Sequence, residues 1–106
     1  MIEKISKNQV KYVRSLSMLK FRKEHQSYLV EGKKNAEEWL NQGAAIEMVI
    51  GLAEWFEQNK ALCKGMTPSK LFLADAIDFE KISTLKTPNQ VILVVKERSA
   101  DPIENL

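Results

Sequence analysis

Lys4, Lys7, Lys11 and Arg14 recur at intervals of three and four residues. On an α-helix that spacing gathers them within an arc of roughly 80°. Lys20, Arg22, Lys23 and His25 follow closely, and Lys33-Lys34 closes the run. Residues 1–34 hold nine basic and three acidic side chains, a balance of +6; the remainder holds seven and eleven, a balance of −4. The overall net charge of +2 hides this division. Cations at such density suit a polyanion, because each phosphate neutralised releases condensed counterions. A solvated face is the plainer reading, but solvated faces mix signs and the ridge from Lys4 to Arg14 carries no acid.

Other chemistries lack their residues. His25 is the only histidine and Cys63 the only cysteine, so neither a zinc-ligand set nor an internal disulfide is expected. No serine–acid constellation for catalysis accompanies His25; a polar contact or hydrogen bond to RNA is the most it offers. No Gly-x-Gly-x-x-Gly, phosphate-loop motif or pair of catalytic acids occurs. No catalytic, cofactor-binding or metal residue is therefore expected in this chain. Phe21, amid Lys20, Arg22 and Lys23, is either a stacking platform for a base or an anchor packed into the core; the anchor is preferred.

These cations need elements to position them. Ser6 and Gln9 stand at capping-box spacing, with Ile5 and Val10 placed as a hydrophobic staple. Val13, Leu16 and Leu19 continue the apolar stripe of a first helix. The segment 20–26 shows no period and reads as a connection. Tyr28-Leu29-Val30 is a short apolar strand, ended by Gly32. Ala36, Trp39 and Leu40 mark the helix behind it, which opens on Lys33 and Lys34. Lysines beside the unpaired N–H groups of a helix start favour an anion such as a phosphate, or are merely solvated.

Gly43 suits the left-handed stop of that helix, and Ile46–Gly51 is a second strand. Leu52, Trp55, Phe56, Asn59 and Leu62 predict one further helix, with Glu54 and Glu57 outward and Cys63 a small apolar residue near its end. Residues 64–69 form a loop, and Leu71–Ala74 is a third strand. Asp75 or Asp78 caps a last helix with Ile77, Ile82 and Leu85 inward. After Thr87-Pro88-Asn89, the run Val91–Val95 needs no polar face and reads as a central strand covered on both sides. Helix and strand alternate throughout. The expected class is α/β, a three-layer α/β/α sandwich with a small mixed or mostly parallel sheet.

A chain of 106 residues, 44% hydrophobic and 28% charged, is one soluble domain. No apolar run approaches the roughly 20 residues of a membrane span, and the start Met1-Ile2-Glu3-Lys4 lacks a signal peptide. A cytoplasmic location is expected.

The basic opening helix, Arg22 and His25 ahead of Tyr28-Leu29-Val30-Glu31-Gly32, and Ile82 to Val95 with its Thr87-Pro88 together resemble a known family. They are similar to the N-terminal substrate-binding domain of SpoU/TrmH-type RNA 2′-O-ribose methyltransferases, of the SPOUT superfamily. Asn89-Gln90 stands where that family commonly has Gln-Gly. The resemblance implies a fold similar to kink-turn-binding ribosomal proteins. It also implies an RNA-binding domain over residues 1–96 and, over 97–106, the start of a linker to a C-terminal catalytic domain not present in this chain. That separate domain would bind S-adenosylmethionine and form a homodimer.

On this reading the chain itself is non-catalytic and docks structured ribosomal or transfer RNA for rRNA or tRNA methylation. Lys7, Lys11 and Arg14 would meet phosphates from the first helix. Lys20, Arg22, Lys23 and His25 would extend the patch, and Lys33 and Lys34 would complete it. Two other readings remain open: a stand-alone ribosomal-type RNA-binding protein, and a protein-interaction module using the acidic half, Glu47, Glu54, Glu57, Asp75, Asp78 and Glu80.

Overall fold

In the computed structural model, residues 2–42, 45–82 and 90–96 are described. The strands are β1 (Glu3–Lys4), β2 (Ser27–Glu31), β3 (Ile46–Gly51), β4 (Leu71–Leu73) and β5 (Val91–Lys96). The helices are α1 (Lys7–Ser15), α2 (Leu19–His25), α3 (Lys33–Asn41), α4 (Ala53–Gln58), α5 (Lys60–Cys63) and α6 (Ala76–Ile82), with a 3-10 turn over Pro68–Lys70. The five strands form one mixed sheet in the order β1-β4-β3-β5-β2. β1 and β3 flank β4 in parallel, and β5 runs antiparallel to both β3 and β2.

Period-two alternation sends side chains to two cores, which makes the three layers. Ile92 and Val94 of β5 join Met48, Ile50 and Phe72 against Val10 and Val13 of α1, Leu16 at its C-terminal cap, and Phe79 and Ile82 of α6. Val91, Leu93 and Val95 point the other way, with Val49 and Leu71, against Ala36 of α3, Trp55 and Phe56 of α4 and Cys63 of α5. All five residues Val91–Val95 are buried, which is why that run shows no polar alternation. Burying one such aliphatic side chain stabilises the fold by about 1.5–3 kcal/mol, so β5 carries a large share of the cohesion.

Local signals act where the sequence places them. The Gln9 N–H donates to Ser6 Oγ at 3.1 Å and the Ser6 N–H to Gln9 Oε1 at 2.8 Å, closing the capping box of α1. Ile5 and Val10 are both buried in the α1 core. Gly32 has φ +102°, a conformation that L side chains rarely adopt, between β2 and α3. The buried Trp55 indole donates to Glu37 Oε2 at 3.1 Å, tying α4 to α3. Cys63 is buried, and burial pushes its thiol pKa up, which suits an apolar filler rather than a nucleophile.

Five expectations differ. Residues 19–25 are a helix, not a connection. The helix has no buried residue, so no apolar stripe advertises it, but Leu, Lys, Arg and Glu are good helix formers and Gln26 ends it at φ 55°. The helix after β3 is two: Asn59, at φ −126° and ψ 34°, separates α4 from α5, and its side-chain amide donates to the Trp55 carbonyl at 2.9 Å. Ile77 is 61% exposed. Phe79 takes the inward place, because Phe79 and Ile82, three apart, share a helix face that Ile77 cannot. Phe21 is half-buried and lies outside both cores. The strand β1 was not legible, being two exposed charged residues held by backbone pairing to β4. Gly43, Leu85 and Thr87-Pro88-Asn89 lie outside the described residues.

Candidate nucleic-acid interface

The structure distributes the basic side chains into three groups. Lys7, Lys11 and Arg14 are exposed on α1, and they line a groove of about 570 Å³ that α6 closes from the other side with Asp78 and Lys81. Ile5 and Val10 lie at its base. Lys4 also faces this groove but is engaged: its ammonium lies 2.8 Å from Asp78 and 3.7 Å from Asp75. Asp75 and Asp78 cap α6 reciprocally, with each backbone N–H donating to the other's carboxylate at 2.9 and 3.0 Å. Burial alone would raise the Asp78 carboxyl pKa, but the hydrogen bonds from Lys4 and the Asp75 N–H outweigh it and hold the pKa below the ordinary value. The Lys4 pKa is raised, chiefly by that same bond to Asp78.

The second group rides on α2. Lys20 and Lys23 are exposed. The Lys20 ammonium stands 5.6 Å from the Phe21 ring centroid, a cation–π contact. Arg22 is half-buried and lines a smaller cleft of about 230 Å³ with Leu16, Ser17, Leu29 and Glu31. Its Nε is buried without a hydrogen-bond partner. His25 turns inward, edge-on to Tyr12 at 5.1 Å and stacked on Phe21 at 6.5 Å. Tyr12, His25 and Phe21 thus form an aromatic column that fixes α2 against α1. The third group, Lys33 and Lys34, is exposed at the start of α3. That helix packs on the opposite face of the sheet, so these two lysines reach the α1–α2 side only around the end of β2.

Beneath α1 lies a polar knot that the sequence did not reveal. Glu47 is the extra residue of a β-bulge, since Ile46 pairs with Val95 while Met48 pairs with Val94. Its carboxylate accepts from Tyr12 Oη at 2.8 Å and from the buried Ser27 hydroxyl at 2.9 Å, with the Lys96 ammonium at 3.8 Å. Burial first, and then the bond to Glu47, push the Tyr12 phenol pKa up. Lys81 was likewise missed as part of the basic surface. It lies far from the cationic run in sequence, and only the packing of α6 on α1 brings it to the groove.

The same fold recurs in known proteins. The model of the MRM3-like substrate binding domain matches residues 7–93. The chain belongs to this family. No curated protein matches it. Among solved structures, an RNA methyltransferase of the TrmH family from Porphyromonas gingivalis aligns over 90% of this chain at 30% identity, with a TM-score of 0.66. An AdoMet-bound rRNA methyltransferase from Sinorhizobium meliloti aligns over 92% at 21% identity and TM-score 0.68. An RNA 2′-O ribose methyltransferase aligns over 92% at 18% identity and TM-score 0.67. The chain spans 36%, 36% and 38% of those three structures, respectively. The resemblance read from the basic helix and the Leu-Val-Glu-Gly turn is thereby borne out, as is the mixed α/β fold.

Proposed function

We propose that this domain docks structured RNA for an S-adenosylmethionine-dependent ribose 2′-O-methyltransferase. The match to a substrate-binding domain over residues 7–93 carries the reading. The charge distribution supports it. Among the described residues Lys7, Lys11, Arg14 and Lys81 have no ion pair, so their charge is available to phosphates. Lys20, Lys23, Lys33 and Lys34 extend the field, and phosphate contacts of this kind fix register and orientation rather than sequence. In this scheme residues 1–96 are the docking domain and 97–106 begin the tether to a catalytic domain, which also supplies dimerisation. The work would take place in the cytoplasm; no helix among the described residues is long and apolar enough to cross a membrane.

The cofactor belongs to that other domain. S-adenosylmethionine carries a sulfonium cation, and the α1–α6 groove, rimmed by lysines and an arginine, repels one. The test is titration with ribosomal RNA fragments at increasing salt. About four phosphate contacts give a log–log slope near −3 on unpaired RNA. Replacing Lys11 and Arg14 by glutamate flattens that slope, with far-ultraviolet circular dichroism unchanged. Binding as tight as the parent's from the folded double variant overturns the reading.

A further inference from the structure

The groove between α1 and α6 offers two chemistries, and a row of phosphates uses only one of them. Its rim is cationic: Lys7, Lys11 and Arg14 come from α1 and Lys81 from α6. Lys4 is engaged by the two aspartates that cap α6, which outweigh its charge by one, so the other four cations leave the rim a balance of +3. The groove is largely apolar inside: the methylene stems of its cationic side chains supply most of that surface, and Ile5 and Val10, 5% and 8% exposed, add only their edges. Its volume of about 570 Å³ falls within the range of pockets that enclose a small organic ligand.

An A-form duplex meets a protein with phosphates and 2′-hydroxyls and keeps its bases stacked inside. It would satisfy the rim and leave the apolar interior of the groove wet. An unpaired nucleotide carries an anion and a flat, largely apolar ring together, and so fills both. Its phosphate fits the rim, and its base fits over the methylene stems beside the edges of Ile5 and Val10. The geometry points to this groove as the seat of a single unpaired nucleotide of the docked RNA, with Lys81 as a phosphate ligand supplied from outside the basic N-terminal run. The inference rests on the RNA-docking reading and adds to it that the docked region contains an unpaired residue.

The test uses the chain with carbon-13-labelled isoleucine and valine methyl groups, titrated separately with a short oligoadenylate, a blunt RNA duplex and polyglutamate. A base stacked over the groove shifts the Ile5 and Val10 methyl resonances upfield by its ring current. Oligoadenylate is expected to produce that shift, and the duplex and polyglutamate are not. Lys81→Glu, an exposed change, is expected to lower the salt slope for oligoadenylate by roughly 0.7 or more. If oligoadenylate binds while the two methyl groups stay in place, or if the duplex moves them as far, the nucleotide seat is overturned and RNA docking stands. Binding of polyglutamate as tight as that of oligoadenylate makes the groove a site for acidic protein and also overturns the seat. If neither RNA binds, the docking reading falls, and the seat with it.

Discussion

Glu47 shows how a single side chain can matter without any signal in the sequence. It sits one residue into a strand whose alternation would place it on the face of Val49, away from α1. The bulge turns its carboxylate toward Tyr12 and Ser27. Glu47→Ala removes the acceptor of the half-buried Tyr12 hydroxyl and leaves the Ser27 hydroxyl only the His25 carbonyl at 3.3 Å, and each hydrogen bond lost costs about 0.5–1.5 kcal/mol. A lower urea midpoint at unchanged slope is the expected result. Glu47→Gln retains an acceptor and is expected to lose less. The Tyr12 phenol, with its pKa raised by burial and by that bond, contributes stability that is fully present below about pH 10. That contribution is lost as pH rises through the folded value, so Tyr12→Phe is expected to flatten the alkaline limb of a thermal-stability profile. Gly32 was legible as a turn, and its cost can be measured. An added Cβ would meet nothing within 4 Å, so Gly32→Ala strains only the backbone, and a loss of more than about 1 kcal/mol is expected in the same urea assay.

At the scale of elements, what could be read depended on whether local chemistry or packing fixed the element. Ser6 and Gln9 sit at a spacing with one strong meaning, and the start of α1 follows. The strands β2, β3 and β5 are apolar runs bounded by breakers and fall where expected. The helix α2 was missed because it buries no side chain and so has no period to read. The helix α6 differs in phase from the expected one: Phe79, not Ile77, fills the core beside Ile82. Its cap, in contrast, was anticipated, and it carries a pH signature. Asp78 is held below its ordinary pKa by Lys4 and the Asp75 N–H, against its own desolvation. A depressed carboxylate stabilises the fold above its unfolded pKa, about 3.9, and that stability is lost as pH falls through the folded value. Asp78→Asn is expected to flatten the acid limb of thermal stability, leaving the neutral region as the place where the variant loses most relative to the parent.

For the whole molecule, alternation of helix and strand led to the layered class, but strand order was beyond it. The edge strand β1 is two charged residues that no pattern reveals. The grouping of cations was half legible. The run through Lys7, Lys11 and Arg14 could be placed on one helix face, whereas Lys81 joins them only through tertiary packing. Sheet order also has a consequence for how the chain comes together. The last described strand in sequence, β5, is inserted between β3 and β2, and β2 hydrogen-bonds to no other strand among those described. A nascent chain can assemble β1, α1, β3, β4 and α6 while β2 still waits. Synthesis runs at about 5–20 residues per second, so for some seconds an unpaired edge and its basic neighbours are exposed, until Val91–Lys96 leaves the ribosome. Pairing of β2 is thus a late, non-local event, and the arrival of β5 covers one side of β2 and one side of β3 at once.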